Sequence, residues 1–176
     1  MQHRGYSFNT SVDFEYLKEI KEHFCYVALD PEQEERLADQ TTVLNEVYQM
    51  PDGRKVTVSK ERFLAPELLF KPELQGIECQ SIAQALYDAV EASPMDCRKG
   101  LMKGIVMSGC TTLFPGLHTR LKKELMNIFE AEKIDRLDAS GQPTVTVSPE
   151  DKQKQLARYE KMIKIDDPPN RKYSVF

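Results

Sequence analysis

Tryptophan is absent from the 176-residue chain, so no large indole anchor is available to a core or an interface. Histidine is scarce, and His3, His23 and His118 stand far apart with no metal-ligand spacing. Cysteine is limited to Cys25, Cys79, Cys97 and Cys110, none in a C-x-x-C pair, and three of the four fall in mainly apolar or helical segments. That pattern reads as free thiols in a reducing cytosol and argues against a disulfide framework and against a zinc site. Positive charge is not in excess: the net charge is -4 and the pI about 5.5, which does not suggest a nucleic-acid-binding surface. No apolar run approaches membrane-spanning length, and MQHRGYSF lacks the pattern of a signal peptide. Internal repeats and low-complexity segments are missing too.

What is present suits one compact domain or two small lobes, with 40% apolar and 30% charged residues. The central stretch is GIVMSGCTTLFPG, Gly104–Gly116. Ile105, Val106 and Met107 read as a short buried strand, Ser108–Thr112 as a turn of small residues, and Leu117–Phe129 as a helix with Leu117, Leu121, Leu125, Ile128 and Phe129 on one apolar face. A strand that breaks into such a turn before a helix can present backbone N–H groups to a phosphorylated ligand, and small side chains let the ligand come close. The same pattern also serves as a plain crossover, and the turn alone does not choose.

Upstream, Thr10 and Asp13 form a capping-box-like start, and Tyr16, Leu17, Ile20 and Phe24 recur at helical spacing, which predicts an amphipathic helix over Ser11–Phe24. Its other face carries Lys18, Lys21 and Glu22, either solvated or set to lay a lysine stem along a ligand ring with a carboxylate on a ribose hydroxyl. Cys25–Asp30 reads as extended, and Pro31 opens a second helix with acids in its first turn. Asn45–Ser59 is a hairpin turning at Pro51-Asp52-Gly53, and Glu61–Phe70 two helical turns broken at Pro66. Ser81–Glu91 and Asp96–Lys103 read as helices. Glu130–Lys161 is a charged surface excursion in which Thr144–Val147 forms a strand and Glu150–Tyr159 a polar helix, and Met162–Ile165 returns as a strand. Tyr6, Tyr26, Phe63, Phe70 and Phe114 are assigned to core or lobe packing, Cys25 to a buried thiol, and Arg62 and Arg120 to surface pairs. An end on the apolar SVF reads as a cut chain.

RGYSF, IKEHFCYVALDPEQE, the YQMPDG hairpin, ERF…APELLF, IVMSG-TT-FPGL and PPNRKYSV together resemble the second half of the actin family, in the same order. The match covers nearly the whole chain apart from Glu130–Lys161, and six motifs in register are far more specific than any one. NTSVDFEYLKEIKE, LADQTTVL and IDDPP resemble an actin-related branch of the family more than conventional actin, whereas RGYSFNT, CYVALD and RKYSV are similar to actin itself.

The resemblance implies an α/β chain with a partial actin-like (ribonuclease H-like) ATPase fold. Residues 1–76 would be a small helical lobe with a β-hairpin, and residues 77–176 an incomplete mixed-sheet lobe with a charged insertion at 130–161. In the family these lobes line one wall of an ATP cleft. Carried over by motif, Lys21 and Glu22 match positions flanking adenine and ribose, with Lys18 one turn earlier on the same face. Gly109 and Cys110 match paired glycines beside the nucleotide, followed by Thr111, Leu113 and Phe114, and Lys172 in RKYS matches a lysine near adenine. Cys110 replaces the second glycine, and its Cβ narrows the approach and resists a positive φ.

No segment resembles the family's phosphate-clamping hairpins or the residues that position the cation and the attacking water, so no catalytic or metal residue is assigned. Mg²⁺ would come mainly from outside this chain, which should bind ATP weakly and not hydrolyse it; at most the full-length protein would be a slow ATPase. The implied role is a cytoplasmic, cytoskeletal subunit of a complex that nucleates branched actin filaments. Its partners would be a second actin-related protein, the other subunits, actin filaments and nucleation-promoting factors, without nucleic acid or membrane insertion. The alternatives are a conventional or divergent actin fragment and a truncated interaction module without nucleotide.

Overall fold

The computed structural model describes residues 6–135, 157 and 160–166. The chain divides into two compact units, Met1–Cys79 with Phe114–Leu117, and Gln80–Leu113 with His118–Phe176.

The first unit opens with α1, Ser11–Phe24, the predicted helix with its predicted cap. The Thr10 hydroxyl accepts from the Asp13 N–H at 3.2 Å, and the Asp13 carboxylate accepts from the Thr10 N–H at 3.1 Å, so two orphan donors of the helix start are satisfied reciprocally. Helix α2, Pro31–Gln40, begins on proline with Glu32 and Glu34 in its first turn and buries none of its residues. The hairpin follows as β1, Glu46–Gln49, and β2, Lys55–Val58, antiparallel with Val47 opposite Thr57. Gly53 turns it at φ +87. Ile20 of α1 packs with Phe8, Met50, Val56 and Val58, bordered by Tyr16, Leu17, Phe24 and Tyr48. The hairpin is thus the floor on which the apolar face of α1 rests. The chain between α1 and α2 is extended and buries Cys25, Val27 and Ala28.

Helix α3, Glu61–Glu67, departs from the expected break: it runs through Pro66 and stops one residue later. The bond that a proline cannot donate is replaced: the carbonyl four residues back, that of Arg62, accepts from the Tyr26 N–H at 3.1 Å. Phe63 is fully buried. A 3₁₀ turn at Pro72–Gln75 then ends on left-handed Gly76.

The second unit contains α4, Ile82–Glu91, capped by the Ser81 hydroxyl, and α5, Met95–Lys103. Arg98 of α5 donates to the backbone oxygens of Ser93 and Glu91 and pairs with the Glu91 carboxylate, closing the carbonyl end of α4. Strand β3 is short, Ile105–Val106, and pairs in parallel with β4, Ile165–Asp166. Here two expectations are corrected. The Ile105–Met107 run is not buried throughout: Met107 is, but Val106 is 74% exposed, because alternate residues of a strand face opposite ways. The returning strand is also shorter than Met162–Ile165, since Met162 is still helical.

The last helix, α6, spans Leu117–Asp135, six residues beyond Phe129, because no glycine or proline intervenes. Leu117, Leu121 and Leu125 are buried as the spacing predicts, and Phe129 meets Tyr87 edge to face at 4.9 Å. Arg120 is not a surface group: it is 3% exposed, with its guanidinium 2.7 Å from Glu124 one turn on. The predicted strand at Thr144–Val147, the polar helix at Glu150–Tyr159 apart from Ala157, and the segment holding Lys172 lie outside the described residues.

Candidate functional site

The residues assigned to a nucleotide fall into two sets, one in each unit apart from Phe114, which belongs to the first. The first set rides on α1. Lys18, Lys21 and Glu22 are exposed and, at spacings of three and four, share one helical face. Lys18 lies 3.9 Å from Glu15 with 60% of its side chain exposed, a loose pair that restrains it little. Lys21 and Glu22 stand on the last turn, where the orphan carbonyls of the helix gather.

That turn is held by Arg62, which the sequence placed among surface pairs. The structure corrects this: its side chain is 18% exposed. Nε donates to the Phe24 carbonyl at 3.0 Å and Nη1 to the Leu44 carbonyl at 2.9 Å, and the guanidinium lies over the Tyr26 ring at 5.3 Å. The Arg62 carbonyl accepts from the Tyr26 N–H at 3.1 Å. Burial pushes the Cys25 thiol up to about 11, with Arg62 and Lys21 opposing. Burial and the nearby Glu34 carboxylate raise Tyr26 to about 12. No local pattern could have flagged Arg62, since the carbonyls it meets are 38 and 18 residues away in sequence.

The opposite end of α1 is fixed by charge. Hydrogen bonds from Thr10, then Arg54 at 3.0 Å and the Asn9 N–H, lower the Asp13 carboxyl to about 2 against a smaller opposing effect of burial. In the middle, Tyr48 of β1 donates to Glu19 at 2.6 Å, the main reason its hydroxyl is raised to about 12.

The second set lies on the loop after β3. Gly109 takes φ +100, and a Cβ built there would meet nothing within 4 Å, so the side-chain position is open. Cys110 through Leu113 form a 3₁₀ turn, with the Thr112 N–H and hydroxyl both donating to the Gly109 carbonyl at 3.1 and 2.7 Å. The anticipated conflict at Cys110 does not arise at that residue: the left-handed step is taken by Gly109, and a 3₁₀ turn is accessible to any L-residue. Cys110 and Thr111 are exposed and Leu113 half-buried. Phe114, also half-buried, belongs to the first unit, where the neighbouring Pro115 carbonyl accepts from the Val27 N–H at 2.9 Å.

Each set offers polar groups of its own, backbone at a glycine turn in one and a lysine–carboxylate helix face in the other. A cation is another matter. Among the described residues no group of three His, Cys, Asp or Glu could hold one, and no helix is long and apolar enough to cross a membrane.

A family model described as Actin matches residues 1–157. The chain is similar to Actin-related protein 2 of Caenorhabditis briggsae, 42% identical over 98% of this chain and 40% of that protein. It is likewise 42% identical to Actin-related protein 2 of Drosophila melanogaster, over 98% of this chain and 39% of that protein. To Actin-related protein 2 of Saccharomyces cerevisiae it is 38% identical, over 100% of this chain and 41% of that protein. The chain thus spans about two fifths of the length of the curated relatives it matches.

Proposed function

This chain belongs to the actin family, and from that premise we propose that it contributes nucleotide-contacting residues to an ATP-binding, actin-related cytoskeletal protein. That protein is a subunit of the complex that nucleates branched actin filaments. The similarity to Actin-related protein 2 over nearly the whole chain supports the branch of the family. The observation that carries the nucleotide reading is the exposed stripe Lys18, Lys21 and Glu22 on a helix fixed at its start, middle and end.

In this reading the Lys21 stem lies along the adenine, Glu22 accepts from ribose hydroxyls, and Lys18 adds positive potential one turn away. The Gly109–Thr111 backbone offers N–H groups to the phosphates, Leu113 and Phe114 give apolar walls, and Lys172 is assigned to the base by its motif alone. ATP supplies charge and shape that favour one conformation of the protein over another, and binding energy is used for that rather than for turnover. No hydrolytic step is assigned to these residues, and none is routed through a divalent cation. The partners are a second actin-related protein, the remaining subunits, actin filaments and nucleation-promoting factors, in the cytoplasmic cytoskeleton.

The test is calorimetric titration of ATP, with and without Mg²⁺, into this chain and into the full-length product of its gene. Binding by the full-length product that weakens at least tenfold in Lys21→Ala and Glu22→Ala supports the reading. A full-length product that ignores ATP refutes it and leaves an interaction module.

A further inference from the structure

We infer that Arg62 is a positioning residue for Lys21 and Glu22, locking the last turn of α1 in the geometry that meets the adenosine end of ATP; this rests on the nucleotide reading above. The last four carbonyls of a helix have no partner within it, and its final turn frays unless something outside supplies donors. In α1 that turn is Lys21–Phe24, and it carries both charged candidates. The Lys21 carbonyl is closed locally, by the Cys25 N–H at 3.3 Å, a long bond. Arg62 closes the Phe24 carbonyl and grips the chain just beyond it from α3. Its Nε meets the Phe24 carbonyl, its own carbonyl receives the Tyr26 N–H just past the helix, and its guanidinium lies over the Tyr26 ring.

The same fork reaches the Leu44 carbonyl ahead of β1 and lies 3.9 Å from Glu46. One planar group therefore ties the exit of α1, the approach to the hairpin and α3 together. A guanidinium holds its donors in a rigid planar fork, whereas the three donors of an ammonium rotate on a flexible stem. Its charge also stands at the negative end of the helix dipole, where a cation is favoured. Loss of this grip frees the last turn, and the Lys21 and Glu22 side chains then sample positions that miss the ligand.

The experiment places Arg62→Lys and Arg62→Met in the full-length product of the gene, with Phe70→Leu as a core variant of the same unit. Each is titrated with ATP under conditions where circular dichroism reports the folded protein, and amide hydrogen exchange is followed across residues 21–26. The expected result is a loss of ATP affinity of tenfold or more in Arg62→Met and a smaller loss in Arg62→Lys. Exchange should quicken over the last turn of α1, and the affinity of Phe70→Leu should stay within twofold of the parent. Should Arg62→Met not fold, Arg62→Lys carries the test, with a threefold loss as its threshold. Unchanged ATP affinity in the Arg62 variants, or an equal loss in Phe70→Leu, overturns the positioning role while the nucleotide reading stands. A parent protein that binds no ATP removes both.

Discussion

Gly116→Ala is the most exacting test of how the first unit is held. Gly116 takes φ +84, and a Cβ built there would sit 2.6 Å from the Val27 carbonyl oxygen and 3.6 Å from the Val27 carbonyl carbon. Two costs add. The left-handed conformation costs an alanine about 1–2 kcal/mol. The contact is with backbone, not with a side chain that could swing away, so Pro115–Leu117 must retreat from the extended segment at Val27. That retreat strains the Val27 N–H to Pro115 carbonyl bond at 2.9 Å, worth about 0.5–1.5 kcal/mol net. The sum is about 1.5–3.5 kcal/mol, or a fall in melting temperature of roughly 3–14 °C for a chain of this size. Gly53→Ala is the internal control. Gly53 has nearly the same φ, +87, but nothing within 4 Å of its Cβ, so it should lose only the conformational cost of about 1–2 kcal/mol. Urea denaturation followed by circular dichroism measures both. Equal losses in the two variants would refute the reasoning, because the Val27 contact is all that separates them.

Thr10→Ala removes the cap that opens α1 and should lower stability by about 1 kcal/mol, read from the urea midpoint. Asp13 is held down at about 2, so its contribution is complete above the ordinary carboxylate range near pH 4 and is lost as pH falls toward 2. The parent should therefore lose stability over pH 5–2 more steeply than Asp13→Asn, and parallel pH profiles would count against the cap geometry. Arg98→Met strips the donors from the end of α4 and should cost about 1–3 kcal/mol, with faster amide exchange at Ala92 and Ser93 as its local signature. A disulfide reagent at pH 8 should label Cys79, Cys97 and Cys110 in the native protein and reach Cys25 only in denaturant, since Cys25 is buried and its thiol is raised to about 11.

Periodic and local signals carried well. The Thr10–Asp13 box and the Tyr16, Leu17, Ile20, Phe24 spacing place α1 to the residue, because both act within a turn or two of the chain. Pro51-Asp52-Gly53 does the same for the hairpin. What failed was whatever depends on residues far apart in sequence. Arg62 and Arg120 look like ordinary surface cations until the fold brings carbonyls to one and buries the other. The apolar run Ile105–Met107 looks uniformly buried, yet a strand of two paired residues has one partner here and turns Val106 outward. Pro66 marks the end of α3 but not a break within the segment, because only the carbonyl four residues back decides whether its ring clashes. In the candidate site, residue types were legible and their supports were not.

The two sets of candidate residues are supported in different ways, and this decides how each should respond to change. The Gly109 turn has a local brace: Thr112 closes it with two bonds to one carbonyl three residues back, and Gly109 supplies its left-handed torsion. Such a turn tolerates replacement of its neighbours, which is why a cysteine at position 110 sits there without strain. The stripe on α1 is fixed from outside, by Arg54 at Asp13, Tyr48 at Glu19 and Arg62 at Phe24, three contacts drawn from the hairpin and from α3. A side chain in water gains little from one exposed charge pair, so precision on α1 must come from these second contacts. Substitutions remote in sequence, at positions 48, 54 and 62, should therefore disturb Lys18, Lys21 and Glu22 more than substitutions beside Gly109 disturb that turn. A scan that found the reverse would mean that α1 holds its own last turn, and that the hairpin and α3 merely rest against it.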